Sequence, residues 1–240
     1  MKEETTATKQ SYQKVSGYVD VGLRSYMLKV FSYMSVGLGL TAGVALFVSM
    51  SPTLMKLIFA APMIFWGLSL ASFGLAIYLM ARINTLPPAT AKMYFFTYAG
   101  LLGISLSSIF LMYSTVSIAS AFFAASSMFL GMVIYGYTTG RDLTNFGSFL
   151  FMGLIGLIVA SIINIFTRSP IMDLVISAIG VIIFTGLTAY DTQVIKSYYL
   201  ESDESDVRER KAIMGALKLY LDFINLFLYL LRFLNSTRSR

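Results

Sequence analysis

The sequence predicts an all-α polytopic membrane protein with seven transmembrane helices, the seventh of them central. Composition is the first reason. Of 240 residues, 57% are apolar and only 12% charged, and the mean hydropathy is +0.74. A soluble domain is nearer half apolar and a quarter charged. Length is the second reason. Seven apolar stretches reach the roughly 20 residues that a helix needs to cross hydrocarbon. Punctuation is the third. The separators between these stretches are short, so one domain is expected.

Residues 1–26 are polar and mildly basic, with Lys2, Lys9, Lys14 and Arg24, and read as a cytoplasmic tail. They are not a signal peptide, because the apolar stretch after them is too long for one and no small-residue cleavage site follows it. The membrane domain is expected at 27–234, with spans at about 27–50, 55–80, 90–112, 115–138, 146–166, 171–195 and 213–234. A short tail, 235–240, follows. Ser51-Pro52-Thr53, Leu86-Pro87-Pro88, Tyr113-Ser114-Thr115, Gly140-Arg141-Asp142 and Thr167-Arg168-Ser169-Pro170 separate successive spans. Proline stops a helix because it lacks an N–H and its ring clashes with the preceding turn. Pro62 falls inside the second expected span and should kink it or mark a flexible point.

Orientation follows from where Lys and Arg fall in the short loops. With the N-terminus inside, the inner segments hold Lys2, Lys9, Lys14, Arg24, Lys29, Arg82, Lys92, Arg141, Lys196, Arg208, Arg210, Lys211 and Lys218. The outer ones hold Lys56, Arg168, Arg232, Arg238 and Arg240. This bias favours a cytoplasmic N-terminus. It also explains the net charge of +6 without invoking nucleic acid as a partner. The loop at 196–211, with Glu201, Asp203, Glu204, Asp206 and Glu209, reads as a solvated connector, the other reading being a docking or cation-attracting lip.

The chain has no Cys and no His. That excludes disulfides, thiolate metal sites, Ser–His and Cys–His catalysis and the HExxH zinc motif. The chemistry-bearing residues that remain are acids within the spans. Only Asp191, in the sixth span, and Asp222, in the seventh, qualify. A carboxylate in a span costs a few kcal/mol on insertion scales, so its presence points to a function. Asp191 lies five residues before Lys196 and Asp222 four after Lys218, ~7 and ~6 Å of helix. The two helices run in opposite directions, so both acids should sit at one depth just below the cytoplasmic face. Asp222, Asn225 and Tyr229 share one helical face, which suits a helix surrounded by others. Two close carboxylates in low dielectric share a proton. The pair is closed when protonated and opens by repulsion when deprotonated. Deprotonated, it attracts a divalent cation, yet Ca²⁺ takes six to eight oxygens. A transient site on a leak pathway fits better than a storage site. The alternative is a purely structural pair, with Lys218 neutralising Asp222.

Here the sequence resembles the Bax inhibitor-1 family. The resemblance lies in Phe184-Thr185-Gly186-Leu187-Thr188-Ala189-Tyr190-Asp191-Thr192-Gln193 and in Leu217-Lys218-Leu219-Tyr220-Leu221-Asp222-Phe223-Ile224-Asn225-Leu226-Phe227, supported by Tyr135-Gly136-Tyr137-Thr138-Thr139-Gly140-Arg141-Asp142-Leu143. It is most similar to the bacterial inner-membrane members. The resemblance implies six helices around a central seventh, a di-aspartyl pH sensor at Asp191 and Asp222, and a pH-sensitive calcium leak. It also implies an arginine latch on the pair, for which Arg82 is the best match, while Tyr190, Lys218 and Asn225 beside the acids are the candidate pore-lining residues. Some members carry a carboxylate in the second helix, which here has only apolar, Ser and Gly residues around Trp66 to Ala76. The runner-up function is a non-conducting regulator that binds other membrane proteins, such as a membrane-bound protease. No cofactor beyond transient calcium is implied.

Tyr190-Asp191 also resembles the Tyr-Asp of intramembrane aspartyl proteases. Those enzymes need a second Asp after glycine, and Tyr220-Leu221-Asp222 has none, so an enzyme is not expected. Gly39-x-x-x-Gly43 and Gly136-x-x-x-Gly140 match a small-residue packing motif. Close contact inside the bundle is the expected meaning of the first, with homodimerisation as its alternative, and the second can also mark a helix end.

Overall fold

The structure is a computed structural model that describes residues 21–60 and 62–238. Among the described residues it is helical without strands: α1 Val21–Ser49, α2 Pro52–Phe59, α3 Pro62–Arg82, α4 Pro88–Leu106, α5 Ile109–Met112, α6 Thr115–Thr138, α7 Thr144–Thr167, α8 Pro170–Ser197 and α9 Ser205–Arg238. Seven helices are long and apolar enough to cross a membrane, α4 and α5 together forming the third span.

The punctuation acts locally. Ser51, Ser114 and Ser169 are N-caps whose side chains accept from Leu54, Ser117 and Met172 amides. Proline follows at the first turn of α2 and α8, where its missing N–H has no intrahelical partner to lose. α7 ends at Arg168, whose φ of 49° is left-handed.

Four boundaries differ from expectation. Pro62 does not kink the second span. One helix ends at Phe59 and the next starts at Pro62, so the segment before Pro62 forms the separate α2, which buries Met55 and Ile58 and exposes Lys56. The first helix starts at Val21, inside the expected tail, of which residues 1–20 lie outside the described residues. The last helix runs unbroken from Ser205 to Arg238, ~50 Å, taking in part of the expected 196–211 connector and most of the expected 235–240 tail. Nor is the remaining connector merely solvated. Arg208 donates to the Glu201 and Asp203 carbonyls, Lys211 pairs with Asp203 at 2.6 Å, and Glu209 takes Lys29, Tyr33 and Lys92. Acids and bases spaced along the same segment therefore satisfy one another or reach across to α1 and α4.

α9 is the hub. Its buried residues include Ala212, Leu217, Leu219, Tyr220, Asp222, Phe223, Leu226 and Leu230, which cover all of the helix but one half-buried face carrying Met214, Lys218, Leu221 and Asn225. A helix with no exposed face along its apolar length belongs in the middle of a bundle. α7, by contrast, buries only Gly147, Leu150 and Leu157. The six other spans are not equivalent. α8, α6, α1 and α4 pack directly on α9, while α3 leans on α4 and α7 on α8. The result is two half-shells, α3–α4–α1 and α6–α8–α7, closed around α9 and meeting at two seams, α1/α6 and α3/α7. Thr41 Oγ1 ties the first half-shell to the hub, 2.6 Å from Tyr220 Oη and 2.9 Å from the Ala99 carbonyl.

The glycine motifs divide. Gly39 and Gly43 face outward, and a Cβ on either would meet nothing within 4 Å. This corrects the expectation of close packing at that motif, which Gly37 and Gly103 provide instead. A Cβ on Gly103 would lie 2.7 Å from the Thr41 carbonyl oxygen. Gly136 is a true contact point, since its Cβ would lie 2.2 Å from the Ala189 oxygen, whereas Gly140 is open.

α8 also holds the α6–α7 turn. Gln193 donates to the Arg141 carbonyl at 2.8 Å and accepts from the Leu143 amide at 2.9 Å, while Lys196 donates to the Tyr137 carbonyl at the end of α6. In Gln193→Ala the Leu143 amide loses its acceptor, a loss of about 1 kcal/mol per bond. Hydrogen exchange at Leu143 should accelerate several-fold, and an unchanged rate would show that the turn holds itself. In that turn Asp142 accepts from the hydroxyl and amide of Thr144, and these bonds hold its carboxyl below the usual range. The stability they give is present at neutral pH and is lost as pH falls through the lowered value.

Candidate functional site: the Asp191–Lys218–Asp222 cavity

The antiparallel packing of α8 on α9 brings Asp191 and Asp222 to the same level. Their far ends confirm the pairing, with Arg232 of α9 3.9 Å from Asp173 in the first turn of α8. The carboxyl groups of Asp191 and Asp222 face one cavity. Asp222 is 5% exposed, and its Oδ2 accepts no hydrogen bond. The Lys218 ammonium pairs with Asp191. It lies 3.5 Å from Asp191 Oδ1 and over the Tyr198 ring. The sequence placed Lys218 one turn before Asp222 and suggested that it neutralises that residue. The ion pair instead crosses to Asp191 on the neighbouring helix, because the lysine stem leans toward α8.

The pair lines a cavity of about 810 Å³ at the α3/α7 seam. Tyr190, Lys218 and Asn225, expected beside the acids, line it too, as does Tyr229. Two glycines seat its aromatic walls. Tyr190 covers Gly147 of α7, where a Cβ would lie 2.4 Å from the ring, and Tyr229 covers Gly180 of α8 and stacks on Phe184. Asn225 donates its amide to the Leu221 carbonyl at 2.8 Å. α3 and α7 contribute Phe73, Met80, Gly147, Ser148, Phe151, Leu154 and Ile158, none of them charged. Two carboxylates and one ammonium therefore face the space, a deficit of one positive charge when both acids are ionised. Among the described residues no group of three or more Asp, Glu, His or Cys is placed to hold a metal ion. The two carboxylates and the Asn225 carbonyl oxygen are the side-chain oxygens a cation would meet first.

A family model described as inhibitor of apoptosis-promoting Bax1 matches residues 23–239. The chain belongs to the Bax inhibitor-1 family. It is 46% identical over 219 residues to the inner membrane protein YbhL of Escherichia coli K12, covering 90% of this chain and 94% of that one. It is also 46% identical to the uncharacterized protein RP147 of Rickettsia prowazekii, over 92% and 93% of the two chains. An uncharacterized protein of Borreliella burgdorferi is equally similar, over 89% and 93%.

The family resemblance implied a latch at Arg82. Arg82 is exposed at the end of α3, and its carbonyl accepts from Thr85 and Leu86. Among the described residues the cation paired with Asp191 is Lys218. Sequence reasoning set Lys218 against Asp222 instead, and it missed Gly147 and Gly180 as seats for the tyrosines. The residues themselves were visible, but their partners lie on other helices.

Proposed function

We propose that this member of the Bax inhibitor-1 family is a pH-sensitive cation leak channel of the bacterial inner membrane, passing calcium and gated by protonation of Asp191 and Asp222. The observation that carries the reading is the cluster of buried Asp222 with half-buried Asp191 and Lys218 on a cavity beside the central helix. With a shared proton the cluster balances Lys218 and stays closed. When the proton leaves, two carboxylates repel each other with one ammonium, paired to Asp191, to offset them, and the cavity has room for a cation. The two outer walls make no extended contact with each other or with α9, α3 packing on α2 and α4 and α7 on α8 alone, so they are the walls least held. A cytoplasmic N-terminus fits the charge distribution. The bundle end that carries the pair also carries Lys29, Arg82, Lys92, Arg141, Lys196 and the Arg208–Lys211 segment, while the opposite end carries Lys56, Arg168 and Arg232.

The test is calcium entry into proteoliposomes loaded with an indicator. Flux should rise as pH is raised, and Asp222→Asn, which removes one of the two titrating charges, should flatten the step. Flux that stays flat across pH in the parent protein would end the channel reading.

A further inference from the structure

The same cavity has a second property, its opening. Its mouth lies at the α3/α7 seam, where the lining residues Phe73, Phe151 and Ile158 are 66%, 60% and 51% exposed on the lipid-facing surface. The cavity is therefore entered from the bilayer. Along α9 it runs from Lys218 to Tyr229, ~17 Å of helix. Its polar groups, Asp191, Lys218 and Asp222, gather at the end nearer Ser197 and Ser205. The other end is walled by Phe184, Leu154, Ile158 and the Tyr229 ring.

Charge decides what such an amphipathic slot accepts. The Lys218 ammonium is engaged by Asp191 and the Tyr198 ring. The Asn225 amide is engaged by the Leu221 carbonyl. What remains is acceptor capacity. Asp222 is 5% exposed, sees Lys218 pair with Asp191 instead, and leaves Oδ2 without a donor. An anionic head would meet two carboxylates, and an uncharged one would leave the deficit of one positive charge in place.

We infer that the cavity is a binding site for a lipophilic primary amine, with its ammonium on Asp222 and its chain lying between α3 and α7 toward the bilayer centre. The inference shares with the channel reading the position of the two acids on the cavity, and it does not depend on gating. The ammonium donates to Asp222 and supplies the missing charge. The apolar body covers Leu154, Ile158 and Phe184. The amine can be a free amphiphile or the head of an ethanolamine lipid, since both present the same donor.

The experiment uses the whole chain in phosphatidylcholine nanodiscs at mildly alkaline pH, with radiolabelled dodecylamine as the probe. Saturable binding is expected, competed by unlabelled amine but not by dodecanol or dodecyl sulfate. Asp222→Asn, nearly isosteric, should weaken it at least about tenfold, the scale of a hydrogen bond to a charged group. Ser148→Trp, at the exposed mouth and away from the core, should block entry without changing the unfolding midpoint. Phosphatidylethanolamine in the discs competes if the lipid head is the source of the amine, and leaves binding unchanged if a free amphiphile is. Equal competition by dodecanol, or unchanged affinity in both variants, overturns the inference. Calcium flux is measured on the same preparations. Amine binding with flat flux removes the channel reading alone, and pH-stepped flux without saturable amine binding removes this inference alone.

Discussion

Gly136→Ala should lower the thermal unfolding midpoint of the detergent-solubilised protein by an amount equivalent to about 3 kcal/mol, the upper part of the range for overpacking. The new Cβ would fall 2.2 Å from the Ala189 carbonyl oxygen and 2.9 Å from its carbon. A flexible side chain could swing aside, but a helix backbone cannot. α6 and α8 must therefore separate. Ala189 lies two residues before Asp191, so the displacement also reaches the di-aspartyl pair and should alter flux as well as stability. Gly39→Ala and Gly43→Ala are the controls. Both positions are open, and alanine is the better helix former by up to about 1 kcal/mol, so neither should lower the midpoint. Equal midpoints for Gly136→Ala and these controls would mean that the α6–α8 contact is not a constraint.

Lys218→Met should be destabilising by about 3 kcal/mol. That is the lower end of the cost of breaking a buried ion pair, chosen because the lysine is 25% exposed against 15% for Asp191. The methionine keeps most of the stem's packing and removes the charge. The cavity is lined by no other cationic side chain, so Asp191 and Asp222 would face each other uncompensated. Adding Asp191→Asn to Lys218→Met should restore most of the lost stability, as coupled partners do in a double-mutant cycle. If the double variant is as unstable as the single, the lysine acts through its aliphatic stem alone. The measurement is chemical or thermal unfolding followed by helix content, with all variants in the same detergent.

The spans were legible because crossing hydrocarbon is a requirement on local length and polarity. Thr115–Thr138 and Pro170–Ser197 follow the apolar runs to within two or three residues, since Ser114 and Ser169 cap them and Gly140 and Tyr198 lie just beyond. That the two acids meet was legible by the same logic, from counting residues to Lys196 and Lys218 on antiparallel helices, and both line one cavity. The central place of α9 could be read from its polar face. The errors came where a residue's effect depends on its neighbours. Pro62 begins a helix rather than bending one because the preceding segment is short and amphipathic and packs Met55 and Ile58 on the end of the bundle. Glu209 looked like a loop acid and proved to join α9 to α1 and α4 through Lys29, Tyr33 and Lys92.

By itself the sequence determined the class, the seven crossings, the absence of His and Cys chemistry and the identity of the two intramembrane acids. Each of these depends on composition or on spacing along one helix. Tertiary structure alone decided that Lys218 reaches Asp191 and not Asp222, that Gly136 rather than Gly39 is the tight contact, and that the acids open sideways onto the α3/α7 seam. Those outcomes depend on how each helix is rotated about its axis and which helix lies beside it. In a bundle whose surface is apolar on every side, rotation is set by the fit of small and large side chains between helices, and that fit leaves no period in the sequence of any one of them.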